Sequence, residues 1–147
     1  MNFIATSSVP DQADNRSTGG IIVHILALFT SFVGPAIMYA IFDNEFTREN
    51  ARNAINWHIT FMAIGVVAFV TTALGGTEIT VSGQSTELSV VPSPLDTVFT
   101  FIGVPVMIAF GIGFFLTLWF AVIATYKAAY GSTWSYPGAI NIIGRFS

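Results

Sequence analysis

Cysteine is absent from all 147 residues, and charge is scarce. No disulfide, thiolate ligand or cysteine nucleophile can therefore be built. Only 9% of the chain is charged, against about 25% in an ordinary soluble domain, while 53% is hydrophobic. A water-soluble fold would have to expose most of that apolar surface. Five basic residues and a net charge of −3 leave no basic footprint for nucleic acid. Residues 1–20 are polar and have no basic region ahead of the first apolar run, so they do not read as a signal peptide.

What charge there is lies mostly between three stretches that have none: Ser17–Phe42, Asn53–Thr77 and Thr97–Tyr126. About 20 apolar residues in a helix cross about 30 Å of hydrocarbon. The sequence thus predicts an all-α membrane protein with three transmembrane helices, at about 21–42, 54–74 and 97–126. The polar tail 1–20 precedes a single membrane domain over 21–146. Pro35 and Pro105 mark expected kinks. Thr47 and Asp96 are expected N-caps, and Gly131 is an expected helix stop.

Between the second and third spans, Glu78-Ile79-Thr80-Val81 and Glu87-Leu88-Ser89-Val90 alternate polar and apolar residues around Ser82-Gly83-Gln84-Ser85. This predicts an extracytoplasmic β-hairpin over 78–91. Its Ile79, Val81, Leu88 and Val90 face would rest on the helix ends or the bilayer surface, because an isolated hairpin is marginal in water. At the carboxyl end, Pro137 suits the first turn of a short interfacial helix over 137–146. Ile140, Ile143 and Phe146 would share one face of it, anchored by Trp134 and Tyr136.

Three spans place the amino tail and the 77–96 loop on one side with one basic residue, Arg16. The other side carries Arg48, Arg52, Lys127 and Arg145. The positive-inside rule then predicts a multi-pass cell-membrane protein with its amino terminus and hairpin outside and its carboxyl tail cytoplasmic.

Few residue patterns carry chemistry. His24 and His58 would lie near opposite ends of their spans, about fourteen helical residues or roughly 21 Å apart, and could not share one ion. No metal site, cofactor or catalytic residue is predicted. The spans lack the buried ionisable group that proton-coupled transport needs, and no Gly-x-Ser-x-Gly nucleophile motif is present. Asn53, Asn56 and Thr60 fall on one helical face. Amides in hydrocarbon need partners, so another helix is expected to hold Asn56.

The segment Glu49-Asn50-Ala51-Arg52-Asn53-Ala54-Ile55-Asn56-Trp57-His58-Ile59-Thr60-Phe61 and the tail Tyr126–Pro137 resemble two signatures of the Tic-twenty-like family. These are small membrane proteins of unknown function similar to the chloroplast inner-envelope import component. By position, Asn56 matches the family's Asn, His58 its usual Gln, Gly131 its Gly, and Tyr136-Pro137 its Tyr-Pro. The resemblance implies a helix-packing scaffold or small pore component assisting protein or solute passage. The lipid bilayer, further copies of the chain or other membrane proteins would be its partners. The alternatives are a stand-alone solute channel or transporter and, last, a membrane-embedded enzyme.

Overall fold

The structure is a computed structural model that describes residues 18–88 and 90–145, with the backbone alone at 77–81, 85–88 and 145. The chain is built almost wholly from four α-helices: α1 (Thr18–Thr30), α2 (Val33–Ile41), α3 (Glu45–Leu74) and α4 (Leu95–Ala129). Two short strands, β1 (Thr77–Val81) and β2 (Gln84–Leu88), join α3 to α4, and a 3-10 turn closes the tail at Ile143–Arg145. The chain forms two compact units. One comprises Met1–Trp57 and Trp119–Ser147, the other His58–Leu118.

The expected first span, 21–42, is not one helix. The chain breaks at Ser31, whose φ of 55° is left-handed. The Thr30 hydroxyl donates to the Leu26 carbonyl at 2.7 Å and accepts from the Gly34 amide at 3.1 Å, so one side chain closes α1 and opens α2. α2 then folds back along α1. A Cβ at Gly34 would meet the Leu26 side chain, and one at Gly19 would lie 3.6 Å from the Met38 methyl. In one continuous helix Gly19 and Met38 would be about 28 Å apart. Pro35 is not the break. It sits in the first turn of α2, where its missing N–H would have had no helical acceptor.

The α1–α2 pair packs on the first turns of α3. A Cβ at Gly19 would come within 2.9 Å of the Thr47 hydroxyl, and one at Gly20 would meet Phe46. These glycines let two backbones approach closely. Asn44, rather than Thr47, caps α3: its Oδ1 accepts the Thr47 amide at 3.0 Å. Thr47 is fully buried in the first turn, where its hydroxyl also reaches Asn44. Val23, Ala27, Met38, Ala51, Ala54, Trp57, Ala124 and Tyr136 form the apolar core of this unit.

α3 and α4 contain the expected second and third spans, and both are long and apolar enough to cross a membrane. They have 30 and 35 residues, about 45 and 52 Å of helix. α4 begins at Leu95, which puts Asp96 in the first turn, and it continues through Pro105. Within the second unit the two helices interlock through small residues. Phe61 stacks on Phe110 at 4.8 Å, over the notches left by Gly65 and Gly113. A Cβ at Gly103 would sit 3.3 Å from the Thr71–Thr72 backbone. Gly103→Leu is expected to force this contact open and to cost about 1–3 kcal/mol, read as a lower unfolding temperature in detergent.

β1 and β2 pair antiparallel, from Thr77 opposite Leu88 to Val81 opposite Gln84. Ser82 and Gly83 both have positive φ, as the favoured two-residue turn requires. The pairing places Glu78 opposite Glu87. Of the face expected to rest on the helix ends or bilayer surface, the side chains of Ile79, Val81 and Leu88 lie outside the described residues, and Val90 is exposed. The amino tail up to residue 17 and Phe146 also lie outside the described residues.

Candidate functional site

The polar groups of the first unit converge on the tail. α4 stops at Gly131, where a φ of 75° lets the Ser132 amide reach back to the Lys127 carbonyl at 2.9 Å. The released chain carries Trp134 and Tyr136 back over the helices, and Tyr136 becomes the hub. Its ring stacks on Trp57 at 5.8 Å and 13°, and meets Phe120 at 6.0 Å and Trp134 at 5.3 Å. Its hydroxyl lies 2.8 Å from His24 Nδ1.

His24 and Asn50 are both fully buried. Asn50 Nδ2 donates to the Phe46 carbonyl at 2.8 Å, which turns Asn50 Oδ1 toward His24 Nε2 at 2.9 Å. Oδ1 can only accept, so His24 Nε2 carries a proton, and in the neutral imidazole Nδ1 then accepts from the Tyr136 hydroxyl. One directional chain of hydrogen bonds thus ties the tail to α1 and α1 to α3. The sequence-based depth of His24 assumed a straight first span. The α1–α2 fold-back instead puts this histidine beside the first turns of α3.

Asn56 is held by the tail. Its Oδ1 accepts the Ile142 and Ile143 amides, each at 3.1 Å, and its Nδ2 donates to Asn141 Oδ1 at 3.1 Å. The expected helix over 137–146 is not formed. Gly138 takes a φ of 83°, Pro137 is exposed in a turn, and amides a helix would have used are bound by Asn56 and Asn141. Only the 3-10 turn at Ile143–Arg145 is regular, and Ile140 points outward, 56% exposed. Asn53 is half-buried. It lines a cavity of about 230 Å³ with Asn56, Ser135, Tyr136, Ala139 and Asn141.

His58 and Thr60 are buried in the second unit. The site therefore gathers Asn53, Asn56, Gly131 and Tyr136 of the residues singled out from sequence, with Pro137 at its edge. Sequence reasoning missed His24, Asn50 and Thr47 as members. Their signal was polarity inside otherwise apolar or helical stretches, which does not reveal the partner. Among the described residues no buried side-chain nitrogen or oxygen lacks a partner, and no three of His, Asp and Glu gather to hold a metal ion.

Asn56→Leu is expected to cost about 1–3 kcal/mol, because two tail amides lose their acceptor. Thermal unfolding in detergent measures the loss, and faster hydrogen exchange at Ile142 and Ile143 locates it. Burial also pushes the Tyr136 hydroxyl well above its usual range. The folded state then holds this proton more tightly than the unfolded state. Its contribution is intact below the ordinary tyrosine pKa of about 10 and is lost as pH rises beyond it. Alkaline titration should destabilise the wild type more steeply than Tyr136→Phe.

No curated protein and no solved structure matches the chain. The resemblance to the Tic-twenty-like family is overturned by a family match of another kind. The two signatures that suggested it answer general needs, polar anchoring at a helix entry and a turn after a helix stop, so unrelated membrane proteins can share them. The description of the matching family speaks of crystal formation and lends no support to protein passage. The model for the magnetosome magnetite crystal formation proteins, MamF/MmsF, matches residues 15–143, and the chain belongs to that family.

Proposed function

We propose that this protein is a scaffold of the magnetosome membrane that takes part in magnetite crystal formation without catalytic chemistry of its own. Alongside the family membership, the observation that carries the reading is the outward apolar surface of the two long helices. Phe69 is 72% exposed, Phe101 80% and Phe115 71%. Such surface is stable against lipid or against further copies of the chain, and both are taken as its partners. The buried polar groups of the first unit are engaged with one another, which supports a structural role for them.

Two spans, α3 and α4, also suit the charge pattern better than three. The fold-back of α2 on α1 returns the chain to the side from which it came. The amino terminus, the α2–α3 connection and the carboxyl tail then share one side. All five basic residues, Arg16, Arg48, Arg52, Lys127 and Arg145, fall there. The opposite loop, between Gly75 and Asp96, has none. By the positive-inside rule the termini are cytoplasmic and the hairpin lies across the membrane. This arrangement reverses the amino-terminal side expected from three spans.

The test of function is deletion in a magnetite-forming bacterium, followed by complementation. Altered crystal size or number, restored by the wild type, is expected; an unchanged crystal population would refute the reading. Purified protein in liposomes should give no solute flux, and substrate-dependent flux would favour a channel. For topology, single cysteines at Gln84 and Ser132 of this Cys-free chain should react with an impermeant reagent from opposite sides.

A further inference from the structure

We propose that the α1–α2 hairpin is a re-entrant wedge that enters only the leaflet on the side of the chain termini and so favours membranes convex on that side. This rests on the reading that α3 and α4 span the bilayer. Three observations carry it.

The first is length. α1 has 13 residues and α2 has nine, about 20 and 14 Å of helix. Neither crosses about 30 Å of hydrocarbon, but each suits roughly half of it. The second is direction. The Gly34–Leu26 and Gly19–Met38 approaches return the end of α2 toward the start of α1; Gly19 of α1 lies against Thr47 of α3, and the Tyr39 ring of α2 lies 4.8 Å from the Arg48 guanidinium of α3. The third is surface. Ile22, Ile25, Phe29, Val33, Ile37 and Ile41 are 44–84% exposed, and Phe29, next to the turn, is the most exposed of all.

No Asp, Glu, Lys or Arg occurs between Ser17 and Phe42, whereas Asp43, Glu45 and Arg48 follow directly at the base. Hydrocarbon is therefore the occupant that this face fits: apolar along its flanks, uncharged at its tip with Phe29 beside the turn, and charged only where it meets the headgroups. Part of the backbone requirement is visibly met. Both arms are helical, and at the break between them the Thr30 side chain engages the Leu26 carbonyl and the Gly34 amide, two of the backbone groups that hydrocarbon would leave unsatisfied. A hairpin so placed adds two helix cross-sections to one leaflet and none to the other. Expanding one leaflet lowers the cost of bending the membrane so that this leaflet lies on the outside.

Site-directed labels test each part in sealed proteoliposomes. A nitroxide at Phe29→Cys should be reached by oxygen and shielded from a water-soluble nickel chelate. Cysteines at Thr18 and Asp43 should react with an impermeant reagent from the same side. Exposure of the Phe29 label to the chelate, or labelling of Thr18 and Asp43 from opposite sides, would overturn the wedge. Failure of the underlying two-span reading would look different: Gln84 and Ser132 would react from one side. In a mixture of small sonicated and large extruded vesicles, the protein-to-lipid ratio should be higher in the small vesicles, in the molecules whose Ser132 faces outward. Equal ratios would overturn the curvature preference.

Discussion

Replacing Tyr136 by alanine is expected to cost about 3–5 kcal/mol, the range for truncating a buried aromatic residue. Only 4% of this residue is exposed. Its ring touches Trp57 from α3, Phe120 from α4 and Trp134 from the tail, so truncation opens a cavity where three elements meet. The same change removes the hydroxyl that His24 Nδ1 uses. The tail should then loosen, because its main apolar anchor is lost while the Asn56 hydrogen bonds and the Trp134–Phe120 contact remain. Two measurements check this: the unfolding temperature in detergent, and hydrogen exchange over residues 139–145. An alanine variant as stable as the wild type, with its tail still protected, would show that the aromatic contacts contribute little. Tyr136→Phe separates the two contributions, since it keeps the ring and loses only the hydrogen bond.

His24→Phe is the second large effect. The ring volume is nearly kept, so the loss is mainly polar. Asn50 Oδ1 and the Tyr136 hydroxyl lose their bonds to the imidazole inside the core. A buried polar group left unsatisfied costs about 1–3 kcal/mol, and two of them about 2–6 kcal/mol together. The double variant His24→Phe with Tyr136→Phe should cost less than the sum of the two single changes, since residues in one hydrogen-bond network are not additive. Strict additivity in thermal or denaturant unfolding would show that the two side chains do not act through each other.

Much of the fold was legible from local pattern. The expected spans at 54–74 and 97–126 lie in two helices of membrane length, because a bilayer-spanning helix needs little beyond continuous apolarity. Gly131 was readable as a helix stop, since few other residues adopt a positive φ there without strain. The run at 17–42 misled for the same reason that the others succeeded. Composition reports that a segment is apolar, not whether it crosses the membrane or turns back within it. The turn depends on Ser31 taking a left-handed φ and on Thr30 bridging two helices, and a serine or threonine alone does not announce either event.

The site divides in a similar way. Asn56 was recognisable as a residue needing a partner. Its tail partners were not foreseen, because backbone amides of an irregular segment leave no mark in the sequence. The expected helix at 137–146 fell to Gly138 and to the competition of Asn56 and Asn141 for the amides that a helix would have used.

Sequence alone therefore determined the solvent of this protein, through its scarcity of charge and its apolar runs, and the helix stop at Gly131. Only the tertiary structure decided that α2 folds back on α1 and that His24, Asn50 and Tyr136 form one hydrogen-bonded chain. The physical reason is that burial in hydrocarbon is a property summed over a segment. Hydrogen-bond pairing between residues 26 and 112 positions apart depends on which backbones approach closely, and that is set by small residues such as Gly19, Gly20 and Gly34 meeting particular neighbours.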